Sequence, residues 1–161
     1  MTLKDALAFA AAGLALESIG GAECCLQLTV DYVKSRMQFG QPIGQFQAVK
    51  HMLADVVRVL EPAKAAAYAA MEVAATREAD LPHLASIAKL SAVDAYAAAA
   101  GTSIQLHGAI GFTWELDLHL HFKRAVTCRS LFGTSKEHRR SLARDLLGST
   151  GRPYAELEVA S

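Results

Sequence analysis

The sequence predicts an all-α protein, an antiparallel helical bundle, and three observations carry this prediction. Alanine, the strongest helix former, is the commonest of the 161 residues. Apolar residues recur three, four, five or seven positions apart, as they do along one face of a helix. β-Branched residues do not alternate with polar ones as they would in strands, and brief connections containing glycine or proline separate the helical segments.

The first helix is predicted over residues 2–37, with Thr2 or Asp5 as a polar residue near its start. Its apolar positions keep helical spacing along the whole segment. Residues 39–42 (FGQP) are expected to end this helix, because glycine and proline both interrupt helices.

The second helix is predicted from about Gly44 to between residues 77 and 81. Pro62 lies within it and is expected to kink the helix rather than end it, because the helical spacing resumes at once. Pro82 suits the first turn of a third helix, which is predicted to reach about Leu106.

Two shorter helices complete the predicted bundle. The glycine-containing segment 107–112 separates the third helix from a fourth at residues 116–128, and a fifth is predicted at residues 135–147. The sequence therefore predicts one domain over residues 1–148, followed by a loose tail over residues 149–161.

Composition and charge exclude several functional classes. The 16 basic and 16 acidic residues cancel, so no net field attracts the protein to nucleic acid or anionic lipid. Hydrophobic residues make up 52% of the chain and charged residues 20%, which excludes an intrinsically disordered protein. Because surfaces near zero net charge tend to associate, we expect part of this surface to pack against a partner.

No targeting or membrane segment is predicted. No signal peptide is recognisable, and the longest uncharged segment, residues 95–114, is too polar for a good membrane span. Cys24, Cys25 and Cys128 are too few for a disulfide framework and are expected to be reduced core thiols. We therefore expect a cytoplasmic protein.

Metal, hydrolase and nucleic-acid sites are not predicted. A di-iron bundle needs two Glu-x-x-His motifs, none of which occurs, and Glu115 with His119 leaves a single pair four residues apart. There is no Gly-x-Ser-x-Gly motif. A small basic cluster on the fifth helix, at positions 139, 140 and 144, is interpreted as a solvated face.

Two segments between helices are candidate binding elements. In residues 32–43, Arg36 lies at a helix C-terminus, where it either stabilises the helix dipole or holds an anionic group such as a pyrophosphate. In residues 105–112, Gly108 and Gly111 either allow a sharp turn or let backbone amides approach a ligand closely.

Taken together, these segments resemble the C-terminal domain of acyl-CoA dehydrogenases. The similarity covers about residues 3–148. Residues 114–115 (WE) and 119–121 (HLH) look most like actinobacterial-type members, some of which act on bulky or steroid side-chain thioesters. The segments that carry the resemblance are 36–43 (RMQFGQPI), 46–51 (FQAVKH), 105–113 (QLHGAIGFT) and 132–135 (FGTS).

The resemblance implies an FAD-dependent oxidoreductase that oxidises the Cα–Cβ bond of an acyl-CoA. In such enzymes a carboxylate takes the α-proton and the flavin takes the β-hydride. Members have two helical domains flanking a β-domain, assemble as dimers or tetramers, and pass electrons to an electron-transfer flavoprotein. These properties are expectations for this chain.

The resemblance also implies which residues contact FAD. Arg36 is expected to contact the pyrophosphate of a neighbouring subunit's FAD, and Thr134 is expected to meet the cofactor from another segment. Lys136 stands where family members often have a glutamine. The full set of expected cofactor-binding residues is Arg36, Gln38, Phe39, Gln47, Gln105, Gly108, Ala109 and Thr134.

The catalytic base is missing from both positions where the family places it. Many members have a glutamate directly before Gly-Thr, where this chain has Phe132, and phenylalanine cannot accept a proton. Other members carry the base early on the first long helix, but residues 8–12 (AFAAA) contain no carboxylate, and neither Asp5 nor Glu17 is in the matching register. The sequence therefore nominates no catalytic residue.

Three functional hypotheses follow. The first is the FAD-contacting and oligomerisation domain of an acyl-CoA dehydrogenase, inactive as this fragment. The second is a non-catalytic partner subunit of a heteromeric dehydrogenase, used for assembly and FAD retention, which Phe132 favours. The third is a stand-alone interaction domain, against which the joint retention of Arg36, Gln47 and Gln105 argues.

Overall fold

The computed structural model describes residues 2–76 and 80–148, and over these residues the predicted all-α bundle is confirmed. The predicted tail over residues 149–161 lies outside the described residues, as do residues 77–79, where the second helix was expected to end. The helices are α1 (Leu3–Ser35), α2 (Gln47–Thr76), α3 (Leu81–His107), α4 (Leu118–Cys128) and α5 (Ser135–Leu147).

A capping box begins α1. The Asp5 amide donates to Thr2 Oγ1 at 3.2 Å, and the Thr2 amide donates to Asp5 Oδ2 at 2.7 Å, so two amides that lack helical partners are satisfied. The helix ends at Ser35, two residues before the predicted end, and Arg36 is its C-cap.

The connection between α1 and α2 contains two short strands that the sequence pattern did not predict. It is a small antiparallel hairpin of β1 (Met37–Gln38) and β2 (Gln41–Pro42), followed by a 3₁₀ turn at Ile43–Gln45. Strands of two residues are too short for an alternating pattern, so periodicity could not reveal them. Because this turn precedes it, α2 begins at Gln47 rather than Gly44.

The helix α2 continues through Pro62 to Thr76, as predicted, whereas the expected kink stays a prediction. The fourth helix begins at Leu118, two residues later than predicted, because residues 108–112 form a 3₁₀ helix whose C-cap is Thr113.

The helices α1 and α3 run parallel, with α2 antiparallel to both. Thr29 Oγ1 lies 2.7 Å from Ser103 Oγ near the ends of α1 and α3, while Lys64 at the middle of α2 bonds Glu23 at the middle of α1. In the described residues, α4 returns along α1 and α3, where Arg124 forms two bonds to Glu17 and Tyr96 bonds His121. Most of the core side chains are alanines, which let helix backbones approach closely.

By length and composition alone, α1 could cross a membrane. A core helix of a bundle meets the same criterion, and α1 packs against α2, α3 and α4 through its buried residues. The core therefore explains the apolar character of α1.

The bundle has two ends that matter for function. The hairpin end contains the C-termini of α1 and α3 and the N-terminus of α2. The α5 end contains the N-termini of α1 and α3, the segment between α4 and α5, and α5 itself. Lys89, which contacts that segment, precedes His107 by about five turns of α3, so the two ends are about 27 Å apart.

Candidate functional site

At the hairpin end, a tight turn projects an aromatic ring into solvent. Phe39 and Gly40 both have positive φ, +52° and +81°, as in the two-residue type I′ turns that match strand twist. The Phe39 side chain is 92% exposed, and its only ring contact among the described residues is edge-on to Phe46, with ring centroids 6.2 Å apart. A bulky residue in this backbone conformation is uncommon and costly, which marks the position as a candidate for function.

Arg36 connects α1 to the hairpin through its backbone. Its amide donates to the Tyr32 carbonyl at 2.8 Å, and its carbonyl accepts the Ile43 amide at 2.8 Å. Its side chain is exposed, as are those of Gln38 and Gln47, and within residues 2–76 and 80–148 its guanidinium forms no ion pair. The planar donors of Arg36 are therefore available to an anion.

The glycine segment follows α3 directly. Gly108 has φ +65° and ψ −138°, a conformation that is nearly specific to glycine, and it has open space around the position that a Cβ would take. Gly111 packs so closely on α3 that a Cβ would lie 3.0 Å from the Ile104 carbonyl oxygen. Gln105 and Ala109 are exposed beside Gly108. Gly111 thus allows a close turn, while Gly108 leaves backbone open to a ligand.

An aromatic stack joins these two segments. The rings of Tyr32 and His107 lie parallel within 21°, with centroids 4.1 Å apart. His107 is buried, and its Nδ1 lies 2.8 Å from the Ser103 carbonyl, to which it donates. The stack therefore places Arg36, four residues after Tyr32, at the same end as Gly108, which follows His107.

Thr134 lies at the α5 end and is not brought together with the other seven predicted cofactor residues. It is the N-cap of α5: its amide and its hydroxyl donate to Glu137 Oε2 at 2.7 and 2.8 Å, and the Glu137 amide donates back to Thr134 Oγ1 at 3.3 Å. These bonds lower the pKa of Glu137, because they stabilise its carboxylate.

A groove of about 370 Å³ opens beside Thr134. Phe132 lines it in place of the expected base, and Ala8 and Ala11 line it from α1. Neither of the two positions where the family places its catalytic base therefore contributes a carboxylate. Among the described residues, Glu137 is the only carboxylate in the lining, and its Oε2 is already occupied by Thr134. The groove is lined by Lys4, Leu7, Ala8, Ala11, Pro82, Ala85, Ser86, Phe132, Gly133, Glu137, His138 and Ser141.

The family model described as "Acyl-CoA dehydrogenase, C-terminal domain" matches residues 2–147. The chain belongs to the acyl-CoA dehydrogenase family. It is the C-terminal helical domain of a member, as the sequence motifs predicted.

Several known proteins are similar in sequence or in structure, among them named acyl-CoA dehydrogenases. Acyl-CoA dehydrogenase IpdE2 of Mycobacterium tuberculosis is 49% identical over 129 residues, which cover 80% of this chain and 39% of that protein. Butyryl-CoA dehydrogenase from Megasphaera elsdenii has a TM-score of 0.84 and 28% identity over 88% of this chain and 37% of its own. PigA with FAD and proline has a TM-score of 0.82 and 28% identity over 87% and 36%. The chain thus spans at most about two fifths of each relative.

Sequence reasoning missed the residues that hold the segment before Thr134 in this acyl-CoA dehydrogenase domain. Lys89 is 0% exposed, and its Nζ donates to the carbonyl oxygens of Arg129, at 3.2 Å, and of Gly133. A lysine on a helix ordinarily indicates a solvent-facing position. The one available signal is spacing, because position 89 shares a face with the buried residues Ala85 and Ala92.

His138 supplies a second inward contact. Its Nε2 donates to the Phe132 carbonyl at 3.0 Å, and its Nδ1 lies 3.0 Å from Ser86 Oγ. Burial lowers the pKa of His138, and it also lowers the pKa of Lys89, because both charged forms lose water.

The cysteines partly correct the sequence prediction. All three are free thiols, but Cys24 is exposed, and only Cys25 and Cys128 are core residues. Burial raises the pKa of Cys25 to about 12. Within the described residues, no group of three histidine, cysteine or acidic side chains is placed to bind a metal ion.

Proposed function

We propose that this domain contacts FAD and contributes to the subunit interface of an FAD-dependent acyl-CoA dehydrogenase that oxidises the Cα–Cβ bond of an acyl-CoA thioester. The observation that carries the proposal is the pairing of the Arg36 hairpin with the Gly108 turn by the stack of Tyr32 on His107. An exposed arginine and an open glycine turn at the same end of the bundle suit a pyrophosphate, because arginine binds phosphate oxygens in pairs and glycine lets backbone amides approach closely.

The residues at the hairpin end fit FAD. The solvent-exposed Phe39 ring offers an apolar surface, and nothing lies within 4 Å of the Cβ position at Gly108, so a ligand has room there. PigA, which shares this fold, binds FAD. We assign the pyrophosphate to Arg36, with Gln38, Phe39 and Gln47 around it, and the adenosine diphosphate portion to Gln105, Gly108 and Ala109.

Thr134 would act at a different place. Its two donors are occupied by Glu137, so its hydroxyl oxygen would meet the cofactor as an acceptor. The separation of about 27 Å between the two ends favours contact with two FAD molecules, one of them bound mainly by a neighbouring subunit. When bound, the flavin would supply the hydride acceptor for the dehydrogenation.

A second candidate function is that of a non-catalytic subunit in a heteromeric acyl-CoA dehydrogenase, used for assembly and FAD retention. The specific observation is the groove: Phe132 takes the position of the base, and none of the α1 residues that line the groove (Lys4, Leu7, Ala8 and Ala11) is a carboxylate. Under this proposal the partner subunit supplies the carboxylate that takes the α-proton.

The remaining parts of the proposal concern the whole protein. We propose that it acts in the cytoplasm on an acyl-CoA, as part of a dimer or tetramer, with an electron-transfer flavoprotein as the acceptor. The neutral, apolar composition supports an assembled protein, because such surfaces favour association.

The test uses the full-length protein that carries this domain, produced alone and together with a second dehydrogenase subunit. Flavin absorbance of the purified protein measures FAD retention. Arg36→Ala should release FAD, whereas Lys34→Ala, which removes an exposed basic residue two positions earlier, should retain it. Colourless protein in both preparations would overturn the cofactor assignment.

Turnover distinguishes the two candidate functions. Activity of the protein produced alone supports the first candidate and contradicts the second. Activity that depends on the second subunit, with FAD retained, supports a non-catalytic role for this chain.

A further inference from the structure

Lys89 is a buried ammonium whose only polar partners among the described residues are backbone carbonyls. Its side chain is fully buried in α3, and its Nζ donates to the carbonyls of Arg129 and Gly133. No described carboxylate lies within ion-pairing distance of this ammonium. Burying a charge without an opposite charge is costly, and a methionine of similar length would fill the same space without that cost. Packing alone therefore does not explain a lysine at this position.

The segment that Lys89 contacts has an unusual backbone. Phe132 has φ +53° and Gly133 has φ +103°, so two consecutive residues occupy the left-handed region, one of them with a bulky side chain. Such a conformation persists only where surrounding contacts impose it. Lys89 and His138 provide these contacts, because they donate to the carbonyls of Arg129, Phe132 and Gly133 from the interior.

The hydrogen bonds to these backbone carbonyls determine where the side chains of Phe132 and Thr134 lie. With its carbonyls fixed, the Phe132 side chain lines the groove and Thr134 begins α5 through its cap with Glu137. A change in the backbone at Gly133 would move both side chains together, because they flank it.

We propose that Lys89 is a positioning residue that fixes the Phe132–Thr134 segment, so that Phe132 lines the groove and Thr134 is held for contact with the flavin cofactor. The positioning of the segment by Lys89 rests on the observed hydrogen bonds, and the contact of Thr134 with the cofactor rests on the proposed function. Lys89 acts through the backbone of the segment and touches neither cofactor nor substrate.

The first test measures amide hydrogen exchange by NMR in this chain, without FAD. Lys89→Met removes the donors at nearly constant length, and we expect the amides of Thr134 and His138 to exchange at least tenfold faster, with the amides of Ala92 and Tyr96 in α3 little changed. Lys89→Arg, which keeps donors, should restore protection to within about threefold. Lys64→Met is the matched control, since it removes an ammonium bonded to Glu23 far from the segment.

The pattern of exchange separates positioning from a merely structural role. Faster exchange throughout the bundle, or no change at Thr134 and His138, would overturn the inference. If Lys89→Met does not fold, proton exchange at Lys89 Nζ is measured in the unaltered chain instead. Slow exchange supports the proposed hydrogen bonds, and exchange as fast as that of exposed lysines overturns them.

The second test uses the FAD-retaining full-length protein. Lys89→Met should release FAD about tenfold faster and shift the flavin absorption bands, and Lys89→Arg should restore both. Altered exchange with unaltered flavin would overturn the role toward the cofactor, while the Arg36→Ala result would still stand. If Arg36→Ala fails to release FAD, the proposed function fails, and the exchange measurement alone decides whether Lys89 positions the segment.

Discussion

The ring of Tyr32 stacks on the ring of His107 at 4.1 Å, and this contact joins the last turn of α1 to the last turn of α3. Each residue is followed within four positions by a candidate cofactor residue, Arg36 in one case and Gly108 in the other. The stack thus couples two segments that are about seventy positions apart in the sequence. A change in either ring should affect both stability and cofactor retention.

Tyr32→Leu tests this coupling. Loss of the aromatic pair should lower the free energy of unfolding by about 1 kcal/mol, because such pairs contribute this much beyond their buried area. FAD should also dissociate faster from the full-length protein, since the hairpin and the glycine turn are no longer aligned. Tyr68→Leu, at an exposed tyrosine of α2, is the control for urea unfolding and flavin release. Equal flavin release in the two variants would contradict the prediction.

Most of the fold could be predicted because helical spacing and alanine content act locally. This spacing predicts all five helices. The errors of the prediction are confined to helix ends, whose positions depend on tertiary contacts. The end of α1, for example, depends on the Ile43 amide, which bonds the Arg36 carbonyl across the hairpin. No periodic pattern encodes such a contact.

The candidate site was predictable only in part. The exposed residues Arg36 and Gly108 lie in recognisable motifs, but their placement at the same end of the bundle comes from the stack of Tyr32 on His107, which a linear pattern does not contain. Lys89 was missed for a similar reason, because its burial depends on carbonyls forty or more positions away. The separation of Thr134 from the other residues likewise depends on the parallel course of α1 and α3.

Gly21 and Gly20 provide a paired test of packing in α1. A Cβ at position 21 would overlap the Tyr96 ring, 2.7 Å from its hydroxyl oxygen, whereas a Cβ at position 20 meets nothing within 4 Å. Gly21→Ala should therefore destabilise the domain by about 1–3 kcal/mol through overpacking. Gly20→Ala should stabilise it by about 0.5–1 kcal/mol, because glycine is unfavourable within helices. Thermal unfolding of both variants checks the prediction, and changes of the same sign would refute it.

Replacing Phe39 should increase stability and decrease cofactor retention. Its φ of +52° is unfavourable for a bulky residue, and asparagine before glycine is preferred in this turn. Phe39→Asn should raise the free energy of unfolding by about 0.5 kcal/mol, since the lost edge contact with Phe46 is largely exposed and offsets part of the gain. FAD should nevertheless dissociate faster from the full-length protein.

The other turn residue supplies the control for Phe39→Asn. Gly40→Ala introduces a Cβ at φ +81° and should lower stability. A Phe39→Asn variant that is less stable, or that holds FAD as tightly as the unaltered protein, would contradict the prediction.

His138 should make the stability of the α5 end depend on pH. Burial lowers its pKa from the usual value near 6.5, and the Lys89 charge adds to this, whereas the Phe132 carbonyl and the Glu137 carboxylate oppose it. Because the folded state favours the neutral ring, the stability that His138 contributes is complete above the unfolded pKa and is lost as the pH falls through the folded pKa. The loss should therefore begin near pH 6.5 and increase below it.

His138→Gln removes this titration while keeping a polar side chain. The difference in unfolding free energy between the unaltered chain and the variant, measured in urea from pH 5 to pH 8, should be constant above about pH 7 and shrink as the pH falls. In this difference, the contributions of the other histidines to the pH dependence cancel, including that of His83 near Asp145. The lowered pKa of Glu137 keeps that residue ionised in this range. A difference that stays constant, or grows toward acid, would mean that His138 is not held neutral by the fold.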